Sequence, residues 1–182
     1  MPGKIIPKNN WFKIVNSKVP FKQGDVLFGC PIANPQYNFD EGEVNEPVDT
    51  EIIEYDVILL SQSCDIQNEK IKLVLVSPVH TLTKFIEAKP EFSAKRMKEK
   101  LKDGEFHAYH LLNKPNKSNF IDDFFVVDFH NVYGVPIDTL RSMIKKQKRR
   151  LTLISPYTEH LSQSFARYFM RVGLPSDIPS FT

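Results

Sequence analysis

The chain has 182 residues, 41% hydrophobic and 25% charged, with a net charge of +2, which suits one globular domain and excludes a disordered or fibrous chain. Two cysteines, Cys30 and Cys64, are too few for a disulfide framework, and the start "MPGKIIPKNNWFKIV" holds no apolar run of signal-peptide length, so a cytosolic protein with free thiols is expected. No apolar run approaches the roughly 18 residues of a membrane span, and no membrane partner is expected.

In chain order, six short segments read as strands, being rich in β-branched and aromatic residues and bounded by turn formers: residues 11–15, 24–30, 51–60, 71–77, 105–112 and 124–130. Between the second and third, "ANPQYNFDEGEVNEPVDT" (33–50) is poor in apolar residues and reads as a long exposed acidic loop, serving either as a binding loop or lid or as a locally disordered segment. "DIQNEK" after the third strand reads as a hairpin connection, so strands three and four pair antiparallel. Pro90 opens a helical pattern in which Ala94, Met97 and Leu101 share a face, ending near Asp103 and Gly104; a second short helix covers about 137–144.

The final helix is the best defined. Ser155 is placed as N-cap, Pro156 at the first helical position, and Gly173 with Pro175 as the stop, giving a helix over 156–172. Leu161, Phe165, Tyr168, Phe169 and Val172 form its apolar side; His160, Ser164, Arg167 and Arg171 line another face. Strands first and helices late predict an α+β fold: a small curved antiparallel sheet or SH3-like barrel with two or three packed helices.

The chemistry concentrates at "YDVILLSQSCDIQNEK" (55–70), where an apolar block runs into hydroxyl, amide, thiol and carboxylate groups. If the strand continues to Ser63, alternation places Cys64 with Ile58, Leu60 and Gln62 on the apolar side, which favours a buried structural cysteine over a nucleophile. The catalytic alternative takes Cys64 as nucleophile, Asp65 beside it and His160 or another histidine as base. His107 and His110, three apart on a strand, do not converge as metal ligands, so no metal and no cofactor are expected. Glycine-rich phosphate loops, G-x-S-x-G and H-E-x-x-H are absent from the sequence.

Charge is polarised. Residues 33–56 hold eight acids and no Lys or Arg, while "RSMIKKQKRR" (141–150) holds six cations and no acid. Lys145, Lys146, Lys148, Arg149, Arg150, Arg167 and Arg171 are the candidate phosphate contacts of a polyanion-binding surface, either RNA or DNA. The acidic loop and the basic helix faces are candidate surfaces for a protein partner.

The pair "SQSCDI" and "PYTEHLSQSFARYFMRVGLP" resembles a group of small bacterial proteins, a likeness that implies no particular chemistry. More distantly, the order "GDVLF", long loop, "VILLSQSCD", "KLVLVSPV", "KKQKRRL" and closing helix is similar to that of the MazF/PemK toxin family. That resemblance implies an SH3-like barrel acting on RNA. The family's arginine before a proline has no counterpart around Ser61 to Lys72, so its catalytic residues are not carried over. The expectation is a bacterial polyanion-binding module, a degenerate toxin-like or phage-defence accessory protein; a cysteine-dependent enzyme and a non-catalytic subunit of a larger complex are the alternatives.

Overall fold

The computed structural model describes residues 10–36, 49–115 and 121–170. The architecture is α+β. In chain order the elements are β1 (Phe12–Asn16), β2 (Asp25–Gln36), β3 (Asp49–Leu59), α1 (Ser63–Gln67), β4 (Leu73–Thr81), α2 (Leu82–Ala88), a 3₁₀ turn (Pro90–Ser93), α3 (Lys95–Lys102), β5 (Tyr109–Leu112), β6 (Phe125–Asp128), β7 (Tyr133–Pro136), α4 (Ile137–Lys146), β8 (Arg149–Leu153) and α5 (Tyr157–Phe169). The eight strands follow the order β1-β8-β2-β3-β4-β6-β5, with β7 also on β4, and every pairing is antiparallel. The path has two ends, β1 and β5, so the sheet is open and not a closed barrel.

Several expectations change. The segment 33–50 is not a loop throughout: residues 33–36 pair with 49–52 as a continuation of the β2/β3 hairpin, which the β-branched Ile32, Ile52 and Ile53 favour. The rest of the acidic stretch, 37–48, lies outside the described residues. β3 ends at Leu59, and "SCDIQ" forms α1 in place of a strand exit, although β3 and β4 do pair antiparallel. The strand expected at 105–112 shortens to Tyr109–Leu112, and the tail of the basic run is β8. The last helix begins at Tyr157, with Pro156 in the capping position and no side-chain cap from Ser155. Its expected end near Gly173 lies outside the described residues.

Strand alternation divides the core. Ile58 and Leu60 point to one face of the sheet with Phe125, Phe129, Leu151, Leu153 and Leu161 of α5. Val57 and Leu59 point to the other, against Ile66 of α1 and Leu140 and Ile144 of α4. A third cluster seats Phe85, Phe92 and Leu101 over Val126. β2 would break this alternation without a bulge. Leu27 faces Val57 and Cys30 faces Tyr55, so β2 advances one residue more than β3, and Leu27, Cys30 and Ile32 all reach the same cluster. Gly29 absorbs the irregularity at φ +65°. Gly24, at φ +79°, lets β2, β8 and α5 meet, since a Cβ there would lie 3.0 Å from Leu153 Cβ.

Pro31 and Pro35 both lie within β2, opposite Glu54 and Thr50. Beyond Val26, the pairing described for β2 is with β3 alone.

Arg150 corrects the reading of the basic run. Its side chain is 2% exposed and its Nε donates to Asp25 Oδ2 at 2.6 Å, the Asp25 side chain being fully buried. The guanidinium also donates to the carbonyls of Asn16 (2.9 Å), Val19 (2.8 Å) and Pro20 (3.0 Å). A residue so enclosed cannot contact a phosphate. Burial is the larger influence on Asp25 and raises its carboxyl above the usual range, with Arg150 opposing. Arg150→Met leaves this carboxylate buried without its cation and is expected to cost about 3–5 kcal/mol in urea unfolding. Exposed Lys148→Met is expected to change stability by no more than about 0.5 kcal/mol.

Candidate nucleic-acid interface and polar cleft

The pairing of β1 with β8 brings two cationic segments together. Asn16 lies opposite Arg149, so Lys18, just past Asn16, and Lys148, just before Arg149, extend beyond the same end of the strand pair. The connection after β1 is held there by the Arg150 bonds to the carbonyls of Asn16, at its root, and of Val19 and Pro20, and by Lys18 N–H donating to Asn16 Oδ1 at 3.0 Å. Lys145 and Lys146 close α4 immediately before. Lys18, Lys145, Lys146, Lys148 and Arg149 are all exposed. No acid occurs from Lys13 to Lys22 or from Thr139 to Thr158. Four of the predicted phosphate contacts therefore form one ridge, joined by Lys18, which the run of cations in the sequence did not suggest.

The other predicted cations differ. Arg150 is internal, as described above. Arg167 is exposed on α5, about 15 Å along the helix from Tyr157. Arg171 lies outside the described residues. Arg141, which opens the basic run but is not one of the predicted contacts, is occupied by two carboxylates, Glu69 and Asp138, the latter at 3.0 Å.

The predicted catalytic group is not assembled. Cys64 is exposed on α1, with Sγ 3.7 Å from Asp65 Oδ1, and Asp65 faces Lys70 at 3.8 Å. His160 is exposed on α5 and meets the ring of Tyr157. Among the described residues no hydrogen bond, ion pair or ring contact joins Cys64 to His160. The parity argument also fails, because α1 replaces the strand on which it depended. Cys30 is the buried thiol, fully enclosed and pushed up to about 11 by desolvation.

Two further features emerge only in three dimensions. A cleft of about 490 Å³ separates α1 from the start of α5. Lys22 and Gln23 line it from the connection before β2, Gln62 and Ser63 from α1, and Ser155, Thr158, Glu159, Ser162 and Gln163 from the α5 side. Gln23 is fixed, its Nε2 donating to the Leu60 carbonyl at 2.7 Å, and its own N–H donates to Ser63 Oγ at 3.3 Å. The segments "SQSCDI" and "PYTEHLSQSF" thus meet at one polar surface. A larger groove of about 680 Å³ runs between the β2 bulge and α4, with Glu54 and Asp138 beside Lys146. Its two carboxylates make it a poor track for phosphates.

The second feature is His110, whose Nδ1 shares a hydrogen bond with Ser164 Oγ at 3.1 Å while Nε2 is buried with no hydrogen-bond partner among the described residues. Desolvation, with a smaller contribution from His160, pushes its imidazole down to about 4.

Comparison with protein families, curated proteins and solved structures returned no match to this chain.

Two measurements test the site chemistry. Iodoacetamide is expected to label Cys64 in the folded protein and Cys30 only after unfolding, with mass spectrometry identifying the modified peptide. For His110, the folded pKa lies below the unfolded value, so stability is complete above about 6.5 and declines as pH falls towards about 4. The loss is expected to reach roughly 3 kcal/mol, and His110→Gln should remove that part of the pH dependence in urea titrations.

Proposed function

We propose that the protein binds nucleic acid through the phosphate backbone, with Lys18, Lys145, Lys146, Lys148 and Arg149 as the contacts. What supports this reading is that the β1/β8 register gathers cations from two distant segments at one end of the sheet, and neither segment carries an acid. Flexible lysines on a fixed β-strand pair and helix end suit sequence-independent attraction to a polyanion, with counterion release supplying the free energy. Arg150 contributes indirectly, by holding the Asn16 to Pro20 connection against β8.

The cysteine-enzyme alternative receives less support, because the polar group described beside Cys64 Sγ is a carboxylate and no histidine. The proposal predicts binding to single-stranded RNA and duplex DNA at low salt, weakening as salt rises. Lys145→Glu/Lys146→Glu/Lys148→Glu should lower the affinity at least about tenfold and reduce the log–log salt slope by about 2 to 3. Lys95→Glu/Lys98→Glu on α3 should change neither. Equal losses from the two variants, or wild-type binding without a salt slope, would overturn the assignment.

A further inference from the structure

We propose that the cleft between α1 and α5 receives one unpaired, amino-bearing base of a nucleic-acid strand held on the cationic ridge, and that Glu159, Gln62 and Gln163 read its edge. The inference rests on the backbone-binding reading above and adds a source of sequence preference to it.

Continuity of the chain is the first argument. Ridge and cleft are two ends of one short connection: Lys18 belongs to the ridge, and Lys22 and Gln23 line the cleft. That connection is braced along its length. Arg150 holds the carbonyls of Asn16, Val19 and Pro20, Lys22 N–H donates to Asp25 Oδ2 at 3.1 Å, and Gln23 is tied to Leu60 and Ser63. A strand whose phosphates follow the ridge is therefore led to Lys22 at the cleft wall.

The lining then decides which part of a nucleotide enters. The cleft holds a carboxylate, Glu159, so a phosphate inside it would be repelled, whereas Lys22 suits a phosphate at its margin. A volume of about 490 Å³ is within the range of small-ligand pockets. Carboxamides recognise base edges because each offers a donor and an acceptor side by side, and a carboxylate accepts from an exocyclic amino group. Gln62 and Gln163 are exposed and come from different elements. Unpaired bases, not duplex grooves, present these edges to a recess in a protein surface.

The same chemistry ranks the bases. Adenine and cytosine carry an amino group that can donate to Glu159. Uracil presents a carbonyl oxygen on each side of its one N–H, so turning that N–H towards the carboxylate brings like charge against it. Two of the lining hydroxyls are already engaged as donors: Thr158 Oγ1 donates to the Leu153 carbonyl at 3.2 Å and Ser162 Oγ to the Thr158 carbonyl at 3.1 Å; the Ser63 and Ser155 hydroxyls can donate or accept alike and so discriminate little between base edges. Selectivity therefore rests on the carboxylate and the two amides.

The test is fluorescence anisotropy with labelled single-stranded oligoadenylate, oligocytidylate and oligouridylate of about 12 nucleotides, at low and moderate salt, using the full chain. Wild-type protein is expected to bind the adenine and cytosine strands about tenfold more tightly than the uracil strand. Glu159→Gln should bring the three to within about twofold while weakening none of them, since it removes a negative charge, and the salt slope should stay the same. Gln62→Ala/Gln163→Ala should also reduce the discrimination at unchanged slope. Binding with a salt slope but equal affinity for all three strands overturns the base-reading cleft and leaves the ridge in place. Discrimination that persists in Glu159→Gln and in the double variant overturns it as well. Absence of binding to any strand at low salt overturns the ridge and the cleft together.

Discussion

The contact between Arg150 and Asp25 is the constraint around which one end of the molecule is built. It is a costly arrangement: both side chains are withdrawn from water, and Asp25 Oδ1 has no hydrogen-bond partner among the described residues. Its return lies in position more than in stability. One planar guanidinium ties β2 and β8 to the last carbonyl of β1 and to two carbonyls of the β1–β2 connection, in a geometry that a lysine could not reproduce. The connection carries Lys18 at one end and Lys22 and Gln23 at the other, so the same ion pair fixes the cationic ridge and one wall of the polar cleft.

Much of the fold was legible because its strands carry an explicit pattern. The apolar block at 57–60 is buried on both faces, as a continuous hydrophobic run implies, α4 falls close to its expected limits, and α5 begins one residue after its expected start. The errors have specific physical origins. β8 was hidden because a buried arginine looks like its exposed neighbours; Arg149 and Arg150 are adjacent letters, yet alternation sends one to water and the other into the core. The outer part of the β2/β3 hairpin resembled a loop because prolines and acids outnumber its apolar residues.

The site was less legible than the fold. Cys64 drew attention because thiols are rare and reactive, but the alternation that turned it inward needed the strand to run on to Ser63, whereas β3 ends at Leu59 and α1 begins at Ser63. Nothing local in "SQSCD" announces a helix of five residues, too short to show a period. The cleft depends on residues about 40 and 140 positions apart, from Lys22 through Ser63 to Gln163, which only tertiary packing can bring into one place. Gln62, Glu159 and Gln163 are unremarkable in composition. The useful signal was that two segments singled out for separate reasons turned out to share a wall.

The prolines of β2 have a consequence for encounters between molecules. Proline fits an antiparallel strand where its nitrogen faces away from the partner, so Pro31 and Pro35, four apart and opposite Glu54 and Thr50, turn their nitrogens towards the outer edge, with that of Ala33 between them. An incoming strand would find a single N–H donor, that of Ala33, between residues 31 and 35. With Ile52 exposed nearby, this hairpin has the surface of a sticky edge but lacks the hydrogen-bond ladder needed to recruit another chain. The long hairpin can project from the sheet without nucleating aggregation along that side.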